Sequence, residues 1–432
     1  MIPTASFMSL LSNIVDNRGR TCPVVETGLP LIATNCVKNS NLYPAFEKVR
    51  YVDRITYDTW FRGHPLPGDL IFVCKGSPGQ VCMTPDPVNF CIAQDMVAVR
   101  ADPAKVYPPY LFAALRSDEM QNAIMNMHVG TLIPHFKKGD FDKLDIPLPD
   151  EPTQRFVGDF YLAVTEKIEL NRRMNETLEG MAQAIFRDWF VDFGPVRRAL
   201  AGATDPVAIM GGLTPDPTRA AHLAALFPAA FGNDGLPVGW SERPLDTIAE
   251  FLNGLALQKH PAKPGEPDLP VIKIAELRNG LTERSNRAAR TLPAKYIIKD
   301  GDFIFSWSGS LMAKVWTEGE GALNQHLFKV SSDAYPQWFY GLWVHHHMPE
   351  FQLIAASKAT TMGHIQRMHL SNAATVCPPD PTIQAMSAVM QPLWDRMIHN
   401  ELENRTLAET RDYLLPRLMS GAVRVTPQAE AA

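Results

Sequence analysis

Cysteine is scarce in this 432-residue chain: Cys22, Cys36, Cys74, Cys82, Cys91 and Cys377 are the only six, and none lies in a Cys-x-x-Cys pair. A zinc ribbon or a disulfide framework is therefore excluded as the organising device. No run of about 18 apolar residues occurs, and no charged-then-apolar leader opens the chain, so a soluble, cytoplasmic protein without a membrane partner is expected. No Gly-x-x-x-x-Gly-Lys-Ser/Thr loop exists, so ATP-driven movement is not encoded here. An adenine methyltransferase needs an Asn or Asp before Pro-Pro-aromatic to hold the target amino group. The nearest match is Tyr107-Pro108-Pro109-Tyr110, and tyrosine lacks that carbonyl. Gly76-Ser77-Pro78-Gly79 reads as a turn rather than a cofactor loop. Positive charge is not in excess either: 41 Lys and Arg face 46 Asp and Glu, for a net charge of -5. Binding of nucleic acid through the whole surface is thus not expected, and local patches must be sought.

What is present is enough for two or three cores, with 46% hydrophobic residues. The chain repeats itself. Gly130-Thr131-Leu132-Ile133-Pro134-His135-Phe136 matches Thr360-Thr361-Met362-Gly363-His364-Ile365, which sets an offset of 364 − 135 = 229 residues. Val157, Val164, Asn171, Leu178 and Ile185 recur every seven residues, and adding 229 gives Met386, Leu393, Asn400, Leu407 and Leu414. Both asparagines at 171 and 175 land on asparagines, at 400 and 404. Upstream, Pro67-Gly68-Asp69-Leu70-Ile71-Phe72 parallels Asp300-Gly301-Asp302-Phe303-Ile304-Phe305, Gln94 parallels Gln325, and Leu29-Pro30-Leu31-Ile32 parallels Leu269-Pro270-Val271-Ile272.

Five segments follow: a domain over 1–150, a long helix over 151–193, an Ala/Pro/Gly-rich linker over 194–236, a second domain over 237–380, and a second helix with its tail over 381–425. Within the domains, Leu70 to Cys74, Val97 to Arg100, Phe303 to Trp307 and Leu327 to Val330 read as strands. Pro109 to Leu115 and Gln337 to His345 read as short helices, which makes the fold class α+β. Thr153 to Phe190 would reach roughly 55 Å as a helix. Its natural partner is Thr382 to Leu415, because neither apolar stripe can be covered by its own domain. Asn171 and Asn400 fall in that seam, where a polar residue fixes register; alternatively the helices are offset and the asparagines meet solvent. Pro392 predicts a kink or a late start in the second helix, and the linker is expected to hold one short helix around Arg219 to Phe227.

Two stretches are locally basic. One holds Lys38, Lys48, Arg50, Arg54 and Arg62 beside Asn39; the other holds Lys273, Arg278, Arg284, Arg287, Arg290 and Lys295. Amides and hydroxyls can read base edges, while Lys and Arg hold phosphates. Further candidates are the loops Lys75-Gly76-Ser77 and Ser308-Gly309-Ser310 with Lys314. The last are the repeat segments, with Thr131, His135, Lys137 and Lys138 in one and Thr361, His364 and Arg367 in the other. His345-His346-His347 does not predict a metal site, because consecutive helical residues point apart and no carboxylate partner is fixed nearby.

Gly-Thr-Leu-Ile-Pro-His followed by Leu-Asp-Ile-Pro-Leu-Pro and a helix beginning Thr153-Gln154 resembles the end of a target-recognition domain in the specificity subunits of type I restriction-modification systems. Leu236-Pro-Val-Gly-Trp240 and Leu407-Ala-Glu-Thr-Arg-Asp-Tyr-Leu-Leu-Pro-Arg-Leu-Met-Ser-Gly421 are similar to that family's lead-in and close. The resemblance implies two pseudo-symmetric target-recognition domains separated by two long, antiparallel, coiled-coil-like helices. It implies double-stranded DNA as ligand, read as two half-sites at a fixed spacing, and two methyltransferase subunits as partners, to which restriction subunits can add. No cofactor is then expected on this chain, with S-adenosylmethionine on the methyltransferase partner, and catalysis is expected elsewhere. A helical assembly scaffold with two protein-binding domains is the alternative.

Overall fold

The computed structural model describes residues 2–17, 21–127, 134–357 and 363–423. It divides into two compact units, Met1–Asn171 with Thr406–Ala432, and Arg172–Arg405. This division cuts across the sequence repeat. Each unit takes one globular domain and a part of both long helices.

In the first unit, strand Leu70–Val73 lies between Val81–Met83 and Met96–Ala101, with Leu11–Val15 beyond. All four residues of Leu70–Val73 are buried. Successive side chains on a strand point to opposite faces, so Leu70 and Phe72 enter a core with Phe7, Phe136 and Phe141. Ile71 and Val73 enter another, with Ile32, Phe90 and Ile92. A central strand covered on both faces gives a continuous apolar run rather than alternation. A second sheet pairs Leu29–Ile32 with Arg50–Val52 antiparallel and with Cys91–Ile92 parallel.

The second unit repeats this order. Phe303–Ser306 lies between Met312–Val315 and Leu327–Ser331, with Glu250–Asn253 beyond. Asp268–Ile272 pairs antiparallel with Arg287–Ala289 and parallel with Gly321–Leu323. Both central strands begin at the same turn. Asp69 N–H donates to Leu66 O at 3.1 Å and Asp302 N–H to Lys299 O at 3.1 Å. Gly68 (φ 80°) and Gly301 (φ 91°) occupy the left-handed position that such a turn requires. The Asp69 carboxylate then pairs with Arg100 at 2.8 Å and that of Asp302 with Lys329 at 2.8 Å.

The predicted short helices are Pro108–Arg116 and Gln337–Ser357; the second runs well past the His345 expected as its end. The long helices are Glu151–Phe186, followed by a wider turn over Arg187–Val191, and Asp380–Met419. In one unit Asn175 meets Met397 and Glu401; in the other Tyr161 meets Arg411. Within each unit residue numbers rise along one helix as they fall along the other, Asn175 with Asn400 and Ile185 with Met386 in the second, Tyr161 with Arg411 and Val157 with Leu418 in the first, so each pairing is antiparallel. None of the ten seam residues is exposed: Val157, Asn171, Ile185, Met386 and Asn400 are buried, and Val164, Leu178, Leu393, Leu407 and Leu414 are half-buried. Asn171 and Asn400 are fully buried, which rules out the solvent-facing alternative. Asn400 Nδ2 donates to Asn175 Oδ1 at 2.8 Å, and Asn175 Nδ2 donates to Met397 O at 3.1 Å and Glu401 Oε1 at 2.8 Å. The expectation that the helices cover only each other needs correction at their ends, where Val157 and Tyr161 join the first unit's core and Ile185 and Met386 the second's.

Residues 194–236 are not a bare linker. They form three helices, Gly194–Leu200, Pro206–Ile209 and Pro217–Ala224, and bury Val196, Met210, Ala220, Leu223 and Phe227 in the second unit's core. Asp188 and Arg198 tie this segment down with two bonds of 2.8 Å. The segment also repairs the second long helix. Pro392 has no N–H to give to the carbonyl of Ala388, four residues back; Arg219 Nη2 donates to that oxygen at 2.9 Å instead. The helix therefore begins at Asp380 and passes through Pro392 without a late start. Among the described residues no helix is long and apolar enough to cross a membrane.

Candidate nucleic-acid interface

The structure joins two sets of candidates that are far apart in sequence, and does so identically in each unit. In the first, Lys75 pairs with His135 as an antiparallel bridge, and Gly76 N–H donates to Pro134 O at 2.9 Å. Phe136 N–H donates to Cys74 O at 2.8 Å. In the second, Ser308 pairs with His364, Gly309 N–H donates to Gly363 O at 2.7 Å, and Ile365 N–H donates to Trp307 O at 3.0 Å. Glycine is required here: Gly76 (φ 88°) and Gly309 (φ 65°) are left-handed, and a Cβ on Gly363 would lie 2.4 Å from Ala355 O. Phe136 and Ile365 anchor the two segments in the cores, leaving the histidines half-buried at the surface.

The side chains on this shared backbone differ. The first cluster presents Lys75 and Ser77, both exposed, with Lys137 beside His135 and Lys138 4.0 Å from Asp16. The second is aromatic and hydroxylic. Ser308 is buried, with Oγ 2.9 Å from His326 Nδ1, and Trp307 lies 5.9 Å from His326 and 6.3 Å from His364 between ring centroids. Trp307 Nε1 donates to Asn253 Oδ1 at 3.0 Å. His326 is the counterpart of Asp95: Cys74 N–H donates to Asp95 O at 2.9 Å and Trp307 N–H to His326 O at 3.4 Å. Neither Asp95 nor His326 was among the sequence candidates, although each follows the matched glutamine of its repeat. Arg367, the counterpart of Lys138, lies over the Phe328 ring at 5.7 Å and donates to Phe251 O at 3.2 Å.

Two clefts flank these clusters. In the first unit a cleft of about 500 Å³ brings Lys138 together with Arg62, His64 and Arg100. His64 stacks on Tyr57 at 3.7 Å, and burial pulls its pKa down, opposed by the Tyr57 carbonyl. In the second, a cleft of about 440 Å³ joins Arg278 to Ser310, Gly309 and Gly363. Arg50, Arg278 and Arg284 are exposed.

Other candidates are occupied or lie elsewhere. Asn39 serves the backbone, with Oδ1 accepting from Val81 N–H at 2.7 Å. Lys38 pairs with Glu47 at 3.0 Å and Arg54 with Asp58 at 2.9 Å. Arg287 pairs with Asp268 at 2.6 Å, an interaction that raises the arginine's pKa and lowers the carboxylate's. Lys273 bonds Asn286. Lys314 is a correction: a strand residue two positions past Met312 on the edge of the sheet, it lines a cavity beside the long helices, away from the loop cluster. Thr131 and Thr361 lie outside the described residues.

His345, His346 and His347 diverge, as consecutive helical residues do. His345 faces Phe303, His346 packs on Trp343, and His347 Nε2 sits 2.9 Å from Ala374 O. All six cysteines are buried thiols, and burial pushes Cys82 and Cys91 up to about 12.

Comparison with known proteins agrees with this architecture. Residues 33–180 match the family model described as "Type I restriction modification DNA specificity domain". The chain is 24% identical over 398 residues to the type I restriction enzyme HindI specificity subunit of Haemophilus influenzae, covering 82% of this chain and 86% of that one. It is 22% identical over 328 residues to the MjaIX specificity subunit of Methanocaldococcus jannaschii, covering 74% and 70%. The crystal structure of a type I restriction-modification S subunit from M. genitalium superposes with a TM-score of 0.53 at 13% identity, over 99% of this chain and 97% of that one, a likeness of fold. A duplicated domain, a pair of long helices and these sequence matches together make the chain similar to the specificity subunits of type I restriction-modification systems.

Proposed function

We propose that this chain is the DNA sequence-specificity subunit of a type I restriction-modification complex and reads a bipartite duplex target, one half-site per globular domain. One observation carries the reading: the clusters at Lys75/His135 and Ser308/His364 share a backbone and differ in the groups they present. A common scaffold with different polar side chains is what recognising two different short sequences by base-edge contacts requires. Lys137, Lys138, Arg62, Arg278 and Arg367 lie on or beside the clusters as phosphate contacts, which accounts for DNA affinity in a chain of net charge -5.

The antiparallel helices act as the spacer and as the docking surface for two methyltransferase subunits. The internal repeat presents equivalent surfaces twice from one chain. The subunit contributes no catalysis: S-adenosylmethionine and the methyl transfer belong to the partner, with restriction subunits as a further addition. Selection of duplexes from a random library by the chain with its methyltransferase partner tests this. Two short motifs at one fixed separation, with affinity falling steeply with salt, are expected; a library emerging without sequence preference would contradict it. The protein-scaffold alternative gains no support from any feature of the two clusters.

A further inference from the structure

The two units differ at one buried position. Helix Pro108–Arg116 and the start of helix Gln337–Ser357 stand at the repeat offset, 337 − 108 = 229, so His345 occupies the place of Arg116. Arg116 is 7% exposed. Its Nε and Nη2 donate to Val81 O at 2.9 and 2.6 Å, Nη2 also reaches Asn41 O, and the guanidinium lies 4.2 Å from the centre of the Phe112 ring. In the second unit the matching position is open. A cavity of about 280 Å³ is lined by His345, Ala313, Phe303, Trp394, Glu179 and Glu401, with Lys314 at its side.

The counterpart residues explain its shape. Ala313 pairs with Phe305 as Val81 pairs with Phe72, so both stand at the same register position of an edge strand. That register turns the carbonyl of each away from the neighbouring strand. Phe112 and Thr165 become Gly341 and Trp394, a large ring exchanged from one helix to the other. A Cβ on Gly341 would meet the Trp394 ring at 2.8 Å, so that exchange fills its own volume. Replacing arginine by the shorter histidine leaves the guanidinium's share of the space. Phe303 and Trp394 line it, and two carboxylates against one ammonium give the lining an acidic balance. Aromatic faces, carboxylates and a strand carbonyl are the groups that a flat, five-donor cation uses.

We propose that this cavity is a binding site for an alkylguanidinium cation, the chemistry of an arginine side chain, entering where the first unit carries its own Arg116. The ligand is either a free cation or an arginine of another chain. Calorimetric titration of the full chain with methylguanidinium, with methylurea as the uncharged control of similar shape, tests the site. One saturable site is expected, with methylurea binding at least about tenfold more weakly, and with His345→Arg, which supplies its own guanidinium, abolishing it. Equal binding of methylurea, undiminished binding by His345→Arg, or no binding at all would overturn the proposal. Should His345→Arg fail to fold, Lys314→Met decides: removing the one ammonium should tighten binding a few-fold, and unchanged or weaker affinity counts against the site. Repeating the titration with the methyltransferase partner present separates the sources. A partner arginine already in place blocks methylguanidinium, whereas a site for a free cation still binds it. None of these outcomes depends on whether the chain reads DNA.

Discussion

The loop clusters of the two units share three backbone hydrogen bonds and change almost every side chain. Lys75, Asp95 and Cys74 in one become Ser308, His326 and Trp307 in the other, while His135 and His364 are held in common. The cores behave in the opposite way. They keep apolar character and volume through exchanges such as Phe112 for Gly341 and Thr165 for Trp394. On the proposed reading, a duplicated fold that conserves its hydrogen-bonding frame while varying the groups on that frame suits two ligands of one class.

The hardest blow to this comparison is steric. Gly363→Val places atoms against Ala355 O and should break the second cluster alone. Affinity for the full target should drop on the order of 100-fold or more, approaching non-specific binding, with the first half-site still read. Loss of preference at both half-sites would show that the clusters are not independent readers. Next come Lys75→Ala and Ser310→Ala, at exposed polar residues of the two loops. Each should relax one position of its own half-site by about 1–3 kcal/mol, read as the spread of bases recovered by library selection. A uniform loss across all sequences would reassign that residue to phosphate contact.

Arg367→Gln and Lys138→Gln sharpen the comparison from the other side. Each should weaken binding to all sequences by a similar small factor and reduce the salt slope by about 1. A change in sequence preference would make them base readers.

The smallest effect separates the units by pH. Burial holds the pKa of His345 down to about 4 from the ordinary 6.5, and burial likewise lowers that of its counterpart, Arg116. A depressed folded-state pKa means that stability is fully present above the unfolded value and is lost as pH falls from 6.5 towards 4. The thermal midpoint of the second unit should therefore decline over that window, and His345→Gln should flatten the decline. An unchanged profile in the variant would mean that His345 takes up its proton as readily when folded. At lower pH a carboxylate takes over. Burial raises the Asp300 pKa, but the two Arg405 bonds of 2.9 Å and the Gly319 N–H prevail and hold it below 3.8. That contribution is present above 3.8 and lost as pH falls through the depressed value, so Asp300→Asn should cost stability at neutral pH and progressively less in acid.

Much of the frame could be read from sequence because repetition doubled the signal. The strands Leu70–Val73 and Phe303–Ser306, the antiparallel helices and the buried asparagines all stand on matched positions. The helices over 194–236 were obscured because Ala, Pro and Gly dominate a segment whose anchoring residues are single apolar side chains and one arginine serving Pro392. Lys314 was misplaced because its neighbour in sequence, Ser310, ends a loop, whereas strand geometry turns the lysine towards the long helices. Asp95 and His326 were within reach: aligning Gln94 with Gln325 already placed them side by side. What sequence did not provide was which candidates are already paired, since Lys38, Arg54 and Arg287 find their carboxylates only through the fold.

The central claim, two independent readers on one frame, is tested most directly by exchanging residues 1–150 for the corresponding domain of a similar specificity subunit and selecting targets from a random duplex library. The account predicts that one half-site changes while the other half-site and the spacing between them stay the same. A change in both half-sites, or in neither, would contradict it.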